Sequence, residues 1–369
     1  LGGITLLCKF DGQRVTMASQ IAGADETVSS LYSVKSEQAT MLSFDTYNYL
    51  VHYFGQPQGS MADDPNGTLG GDYEFVISDA TADRIELKGK KYGNRIVMKA
   101  FSADQTWKQY LTRIKKVEDD AFFYEYDLRM DGLYTGQMLR SNYTFIVTYY
   151  DEVGKVYQKT VPFMFTTDGM RFHEPVTIDG QTMQNFVWKN EEISFVCTDE
   201  GATGVKMKGI YIDGYQSYDY YPGTYLMDFY RLNGATNQLE VASQEIQLVK
   251  NEDGKSYWLK GLEYDILVTY DKPRGGLSIL PQFLKKVQGG YVYLAMWDLM
   301  NDYVLRSSAI GLISYPTTDG IYLVDNGVWM GEISGFIFGV YDSQDEEASF
   351  MGYTDAVAAI RLIKKTIEE

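Results

Sequence analysis

Histidine is nearly missing from this chain: His52 and His173 are the only two in 369 residues. A Ser-His-Asp triad needs a histidine held by a carboxylate against an exposed nucleophile. No GxSxG elbow is present, and both histidines sit in apolar or β-like runs, LVHYF and RFHEP. They read as structural residues. Cysteine is as scarce. Cys8 and Cys197 lie far apart in the strand-like runs LLCKF and ISFVCTD, without metal or redox spacing. They read as buried free thiols, or as a disulfide if their strands are neighbours. Together these residues cannot supply a standard zinc site. No metal and no cofactor is expected.

Positive charge is short too: 33 Lys and Arg stand against 50 Asp and Glu, a net charge of −17. Phosphate backbones need a basic stripe, so this balance argues against a nucleic-acid partner. The acidic residues are spread along the chain and read as a soluble anionic surface. No stretch approaches the ~18 apolar residues of a spanning helix. Gly70-Gly71, Gly275-Gly276 and Gly289-Gly290 precede no helix signature, which excludes a phosphate-binding loop. A glycosidase needs two carboxylates at a fixed separation, and nothing in the sequence selects a pair. The run Asp63-Asp64-Pro65-Asn66-Gly67 with Asp72 offers oxygen ligands of the calcium type but lacks the EF-hand spacing, and reads as a turn.

What the chain does have is tyrosine and glycine, 31 and 35 residues, a balance that suits twisted sheets with tight turns. Six apolar, alternating runs end in an aromatic residue followed by aspartate: Phe10-Asp11, Phe44-Asp45, Tyr150-Asp151, Tyr270-Asp271, Trp297-Asp298 and Tyr341-Asp342. Each reads as a strand entering a turn, because aspartate can accept from the backbone just ahead of it.

The length favours two domains, 1–205 and 206–369, with the boundary in the Gly-, Asp- and Tyr-rich segment 199–222. The fold class is mainly β: two antiparallel barrel-like or sandwich domains with one amphipathic helix after the first meander. Residues 1–101 alternate as a meander suited to barrel closure, with Tyr73, Phe75 and Ile77 on one face. The helix spans 102–118. Ser102 and Gln105 form its capping box, and Trp107, Tyr110, Leu111, Ile114 and Val117 form its apolar face across the first sheet. Strands resume at FFYEYDLRM, where Tyr124, Tyr126, Leu128 and Met130 alternate with charged residues, and later strands are expected near 143–150, 155–166, 175–178, 192–198, 224–231, 238–249, 255–260, 263–270, 276–281, 290–297, 303–314, 320–324 and 335–342. The tail from Thr354 reads equally as a short helix or a closing strand.

The densest aromatic cluster is IYIDGYQSYDYYPGTYLMDFYR. Exposed tyrosines beside Asp and Asn are what a sugar-binding face uses, so Tyr215, Tyr218, Tyr220, Tyr221 and Tyr225 are candidate ligand-binding residues. Packing at the domain junction is the alternative. Trp188 joins the candidates as a platform near a turn, and Trp329 has a similar setting.

Several phrases, MLSFDTYNYLVHYF, GGDYEFVI, ELKGKKYGNRIVM, RFHEPVTIDGQTMQNFVW, VYLAMWD and DNGVWMGEISGF, resemble a domain-of-unknown-function family of exported lipoproteins from gut Bacteroidetes. The resemblance covers nearly the whole chain. It implies export, a lipid anchor on a cysteine upstream of this chain as its only membrane contact, and display in the periplasm or on the cell surface. It brings no activity with it. The expected function is non-enzymatic ligand binding outside the cytoplasm, with a glycan preferred. The alternatives are a structural or protein-interaction component of a surface complex, and a carrier of a small apolar ligand in a hollow barrel.

Overall fold

The computed structural model describes residues 2–36, 39–56, 69–151, 153–345 and 347–365. The chain divides into two compact units, Leu1–Ile210 and Tyr211–Glu369. The first begins with an antiparallel meander: β1 (Leu6–Asp11), β2 (Arg14–Ser19), β3 (Val28–Ser36), β4 (Thr40–Phe44), β5 (Glu74–Ala80), β6 (Arg84–Gly89) and β7 (Arg95–Lys99). Each strand pairs with its chain neighbour, and the sheet stays open at β1 and β7 rather than closing. Alternation buries Val15, Met17, Leu42, Phe75 and Leu87 in its core. Tyr73 instead stands just before β5, 46% exposed, and its ring stacks on His52 at 5.0 Å. His52 ends a helical turn, α1 (Tyr49–His52), rather than a strand; the Asn48 side chain caps that turn by accepting from the Leu50 N–H.

The closed barrel comes next: β8 (Glu125–Met130), β9 (Leu133–Ser141), β10 (Thr144–Tyr150), β11 (Val156–Phe165), β12 (Gly169–Ile178), β13 (Gln181–Lys189), β14 (Ser194–Cys197) and β15 (Val205–Ile210). Pairing of β15 with β8 closes it, so residues 206–210 belong with the first unit. Tyr126, Phe145, Phe163, Phe165, Phe172 and Phe195 fill the interior. The sequence reading omits β9, β13 and β15 and starts β12 late. Asp179-Gly180, both at positive φ, make the two-residue turn that joins β12 to β13, a hairpin signal the alternating run around it obscured.

The helix α2 (Trp107–Asp120) starts later than expected. The capping box that forms is Thr106 with Gln109, not Ser102 with Gln105, because Thr106 immediately precedes the apolar face. Leu111 packs with Leu7 and Ala18 of the open sheet, whereas Ile114 and Val117 enter the barrel core. The helix therefore serves both layers. Cys8 and Cys197 are free thiols, which removes the disulfide alternative. Burial pushes Cys8 up to about 12 and Cys197 to about 11.

The second unit holds β16 (Gly223–Asn233), β17 (Gln238–Lys250), β18 (Ser256–Lys260), β19 (Ile266–Asp271), β20 (Gly276–Ile279), β21 (Gln282–Val287), β22 (Gly290–Asp298), β23 (Tyr303–Leu305), β24 (Leu312–Thr317), β25 (Gly320–Asp325), β26 (Gly335–Tyr341) and β27 (Phe350–Lys364). Pairing of β27 with both β16 and β25 closes a second ring. The same strand carries β26, β22 and β21 outward as a wing. The tail is thus a strand. The run 303–314 breaks into β23 and β24, and β21 was not anticipated. All six aromatic-Asp pairs lie at strand ends. In four of them the aspartate accepts a backbone N–H from its turn: Asp151 from Val153, Asp271 from Arg274, Asp298 from Asn301 and Asp342 from Ser349.

Within β27, Ala359 is exposed with φ of 50°, where the register against β16 shifts. An L-residue crowds its Cβ against the carbonyl there. Ala359→Gly is expected to raise stability by about 0.5–1 kcal/mol, read as a higher urea midpoint. A lower midpoint would refute the strain.

Candidate functional site

The tyrosine-rich segment forms no continuous exposed face. Tyr221 and Tyr225 are fully buried in the second unit's core. Segment 211–222 has no strand ladder, so its carbonyls need other donors, and buried phenols need acceptors. The two needs meet. Tyr225 Oη donates to Tyr221 O (2.7 Å), Tyr257 Oη to Tyr218 O (2.6 Å) and Tyr270 Oη to Gln216 O (2.8 Å), while Tyr221 Oη donates to Gly275 O (2.8 Å). Burial pushes all four phenols up. Tyr218 stacks on Tyr257 at 4.7 Å and donates to Ser256 O; Tyr215 lies against Tyr211 at 4.4 Å. Of the five, Tyr220 is the most open, at 39%, under the Lys364 ammonium. The reading of Tyr221 and Tyr225 as platform residues is therefore corrected: their rings face the core. Trp188 belongs to the first unit's barrel, where it is half-buried against Phe195 and donates to Asn190 Oδ1 at 2.5 Å. Trp329 donates to the buried Asp298 carboxylate at 2.9 Å.

Asp72, offered above as a cation ligand, has both oxygens engaged. The N–H groups of Lys91 (2.7 Å), Tyr92 (3.0 Å) and Asn94 (3.2 Å) and the Asn94 amide (2.7 Å) all donate to it. Its companions at 63–67 lie outside the described residues. Among the described residues no group of three or more His, Cys, Asp and Glu could hold a metal ion, and no helix is long and apolar enough to cross a membrane.

A different part of the second unit forms a cleft of about 520 Å³, lined by Trp258, Lys260, Glu263, Tyr264, Asp265, Leu284 and Lys285. Strand alternation builds it. Tyr257 and Leu259 face the core, which turns Trp258 and Lys260 outward on β18. Val249 and Leu267 flank the indole on the neighbouring strands. The β18–β19 turn supplies Glu263, Tyr264 and Asp265. The Tyr264 ring is anchored edge-on against Phe338 at 5.2 Å, and burial together with the Glu263 carboxylate pushes its phenol up. Glu263 accepts from Thr354 Oγ1 at 2.7 Å, and Lys260 Nζ lies 3.9 Å from Asp265. The far wall is β21. There the Gln282 amide both accepts from Leu267 N (2.8 Å) and donates to Leu267 O (2.9 Å), fixing β21 beside β19. Sequence reasoning missed Trp258. The signal was there in SYWLK, where alternation pairs the tryptophan with a lysine on one face.

A family model described as a domain of unknown function (DUF4302) matches residues 1–190, more than half of the chain. The chain belongs to that family. A second model, also described as a domain of unknown function (DUF4987), matches residues 198–337, so the cleft of this DUF4302 protein lies in the segment the second model covers. No curated protein and no solved structure matches the chain.

Proposed function

We propose that this protein is an exported, surface-displayed, non-enzymatic module that binds a glycan in the Trp258–Tyr264 cleft. The carrying observation is the indole of Trp258, exposed at 36%, beside carboxylates and ammonium groups in an open cleft. A flat apolar ring ringed by hydrogen-bonding groups suits a sugar, which has an apolar face and a polar rim. Glu263 and Asp265 each have a partner already, which favours orienting a ligand over acid-base chemistry. Export and a lipid anchor rest on the resemblance of the sequence phrases.

The test is a glycan-array screen of wild type beside Trp258→Ala. Saturable binding should weaken by about tenfold or more in the variant, the worth of one well-placed ring. Binding indifferent to Trp258 would remove the cleft from consideration, and hydrolysis of a captured oligosaccharide would make it an active site.

The reading as a component of a surface complex draws on the wing. Phe283, Tyr293, Tyr341 and Phe350 run edge-to-face across it at 5.4, 5.8 and 5.5 Å, with Arg306 over Tyr293 and Tyr341. Aromatic residues with arginine are the enriched residues of protein interfaces. The carrier reading draws no support from barrel interiors filled by aromatic rings.

A further inference from the structure

The net charge of −17 conceals a basic segment. From Arg84 to Lys116, ten Lys and Arg stand against two acids, Glu86 and Asp104, a net of +8, which leaves −25 for the rest of the chain. Half of that segment is the β6–β7 hairpin, whose outer strand is an edge of the open sheet. Its cross-strand pairs are like-charged: Arg84 is opposite Lys99 and Lys88 is opposite Arg95. Such pairs are destabilising. Glu86 relieves them in part, forming ion pairs with Arg84 and with Arg95 (3.6 Å), and Arg95 also reaches Glu174 at 2.8 Å. Lys88 and Lys99 have no ion pair among the described residues.

The ladder's phase shows what the edge offers. Gly89 N–H donates to Asn94 O at 2.7 Å. Antiparallel bonding alternates, so the Asn94 carbonyl, Ile96 and Met98 bond toward β6, and the N–H and C=O groups of Arg95, Val97 and Lys99 point away from it. Among the described residues no backbone partner meets those groups. All three residues are exposed, Val97 at 40%. Their side chains share one face, so Arg95 and Lys99 stand four residues apart, roughly 13–14 Å along the strand.

We propose that β7 is a docking edge for an extended acidic peptide segment, added as a further strand. Cations on an edge deter neutral or basic strands, the ordinary defence against aggregation. An acidic strand is the exception. Its own side chains repeat at the same spacing, so carboxylates four residues apart meet Arg95 with Lys88 and Lys99 with Arg84 while its backbone takes the unpaired groups.

The test is fluorescence anisotropy with a labelled alternating Thr-Glu peptide of about eight residues. The same peptide with Lys for Glu and an oligogalacturonate, a polyanion without amides, are the controls. Val97→Pro removes one outward N–H and leaves the β6 ladder whole, since proline is tolerated on an edge with its nitrogen outward. Lys99→Glu turns a repelling pair into an attracting one. Wild type should bind the acidic peptide, less tightly as salt rises, and each variant should bind about tenfold more weakly. Amide exchange at Arg95, Val97 and Lys99 should slow on peptide addition. This last readout needs no variant to fold. Unchanged affinity in Val97→Pro, equal binding of oligogalacturonate, no peptide binding, or no slowing of exchange overturns the proposal.

Discussion

Tyr221→Ala is expected to cost the second unit about 3–5 kcal/mol, the range for removing a large buried ring. The ring is fully buried, meets Tyr220 edge-on at 5.2 Å and lies about equally near Tyr257 and Tyr270, at 6.1 and 6.3 Å. Its hydroxyl donates to the Gly275 carbonyl, which would keep only the Gln216 N–H at 3.2 Å. Tyr220→Ala, one position away and open to solvent, should stay within about 1 kcal/mol. Urea unfolding of the two variants beside wild type decides this, and equal shifts would mean Tyr221 is not in the core. The contrast governs any binding experiment. Glycan binding lost on replacing Tyr221 reports unfolding, whereas loss on replacing Trp258 reports the cleft.

Removal of the Asp72 carboxylate is expected to destabilise the open sheet by about 3 kcal/mol. The carboxylate, 7% exposed, collects four donors from the β6–β7 turn, and in Asp72→Ala three backbone N–H groups lose their acceptor. Asp72→Asn should recover only part of this, since its amide turns donors toward donors. The same site gives a pH dependence. Burial raises the Asp72 pKa, but hydrogen bonds from Tyr92, Lys91 and Asn94 outweigh it and hold the group below the usual carboxylate value. The folded state therefore favours the ionised form. Its contribution is present in full above about pH 4, the unfolded value, and is lost as pH falls through the lower folded value. Acid titration of wild type against Asp72→Asn should show the two stabilities converging below pH ~4. A constant gap down to that range would mean the turn does not depend on the charge.

These aspartates explain much of what the sequence made legible. Alternation with a turn-forming Asp is a local pattern, and strands such as β10, β19 and β22 end where it occurs. The helix face was readable from its period, but two similar capping boxes, Ser102–Gln105 and Thr106–Gln109, stand in series, and the one that forms is the second, directly before the apolar face. The tail could be read two ways because Ala356, Val357, Ala358, Ile360 and Leu362 fit either period. Partners on both sides, β16 with β25 and β26, made it a strand.

By itself the sequence determined the β class, many of the places where strands turn, and the amphipathic helix. Those follow from residue type and spacing within a few positions. The tertiary structure decided which rings face water. Tyr220 and Tyr221 are neighbours of one kind, yet one is open and one is core, because burial depends on which distant carbonyl, here Gly275, meets the phenol. It also decided that Trp258 opens into a cleft with Leu284 and Lys285, and that β7 is an edge. Both depend on which strands pair, a long-range choice that no local window of sequence contains.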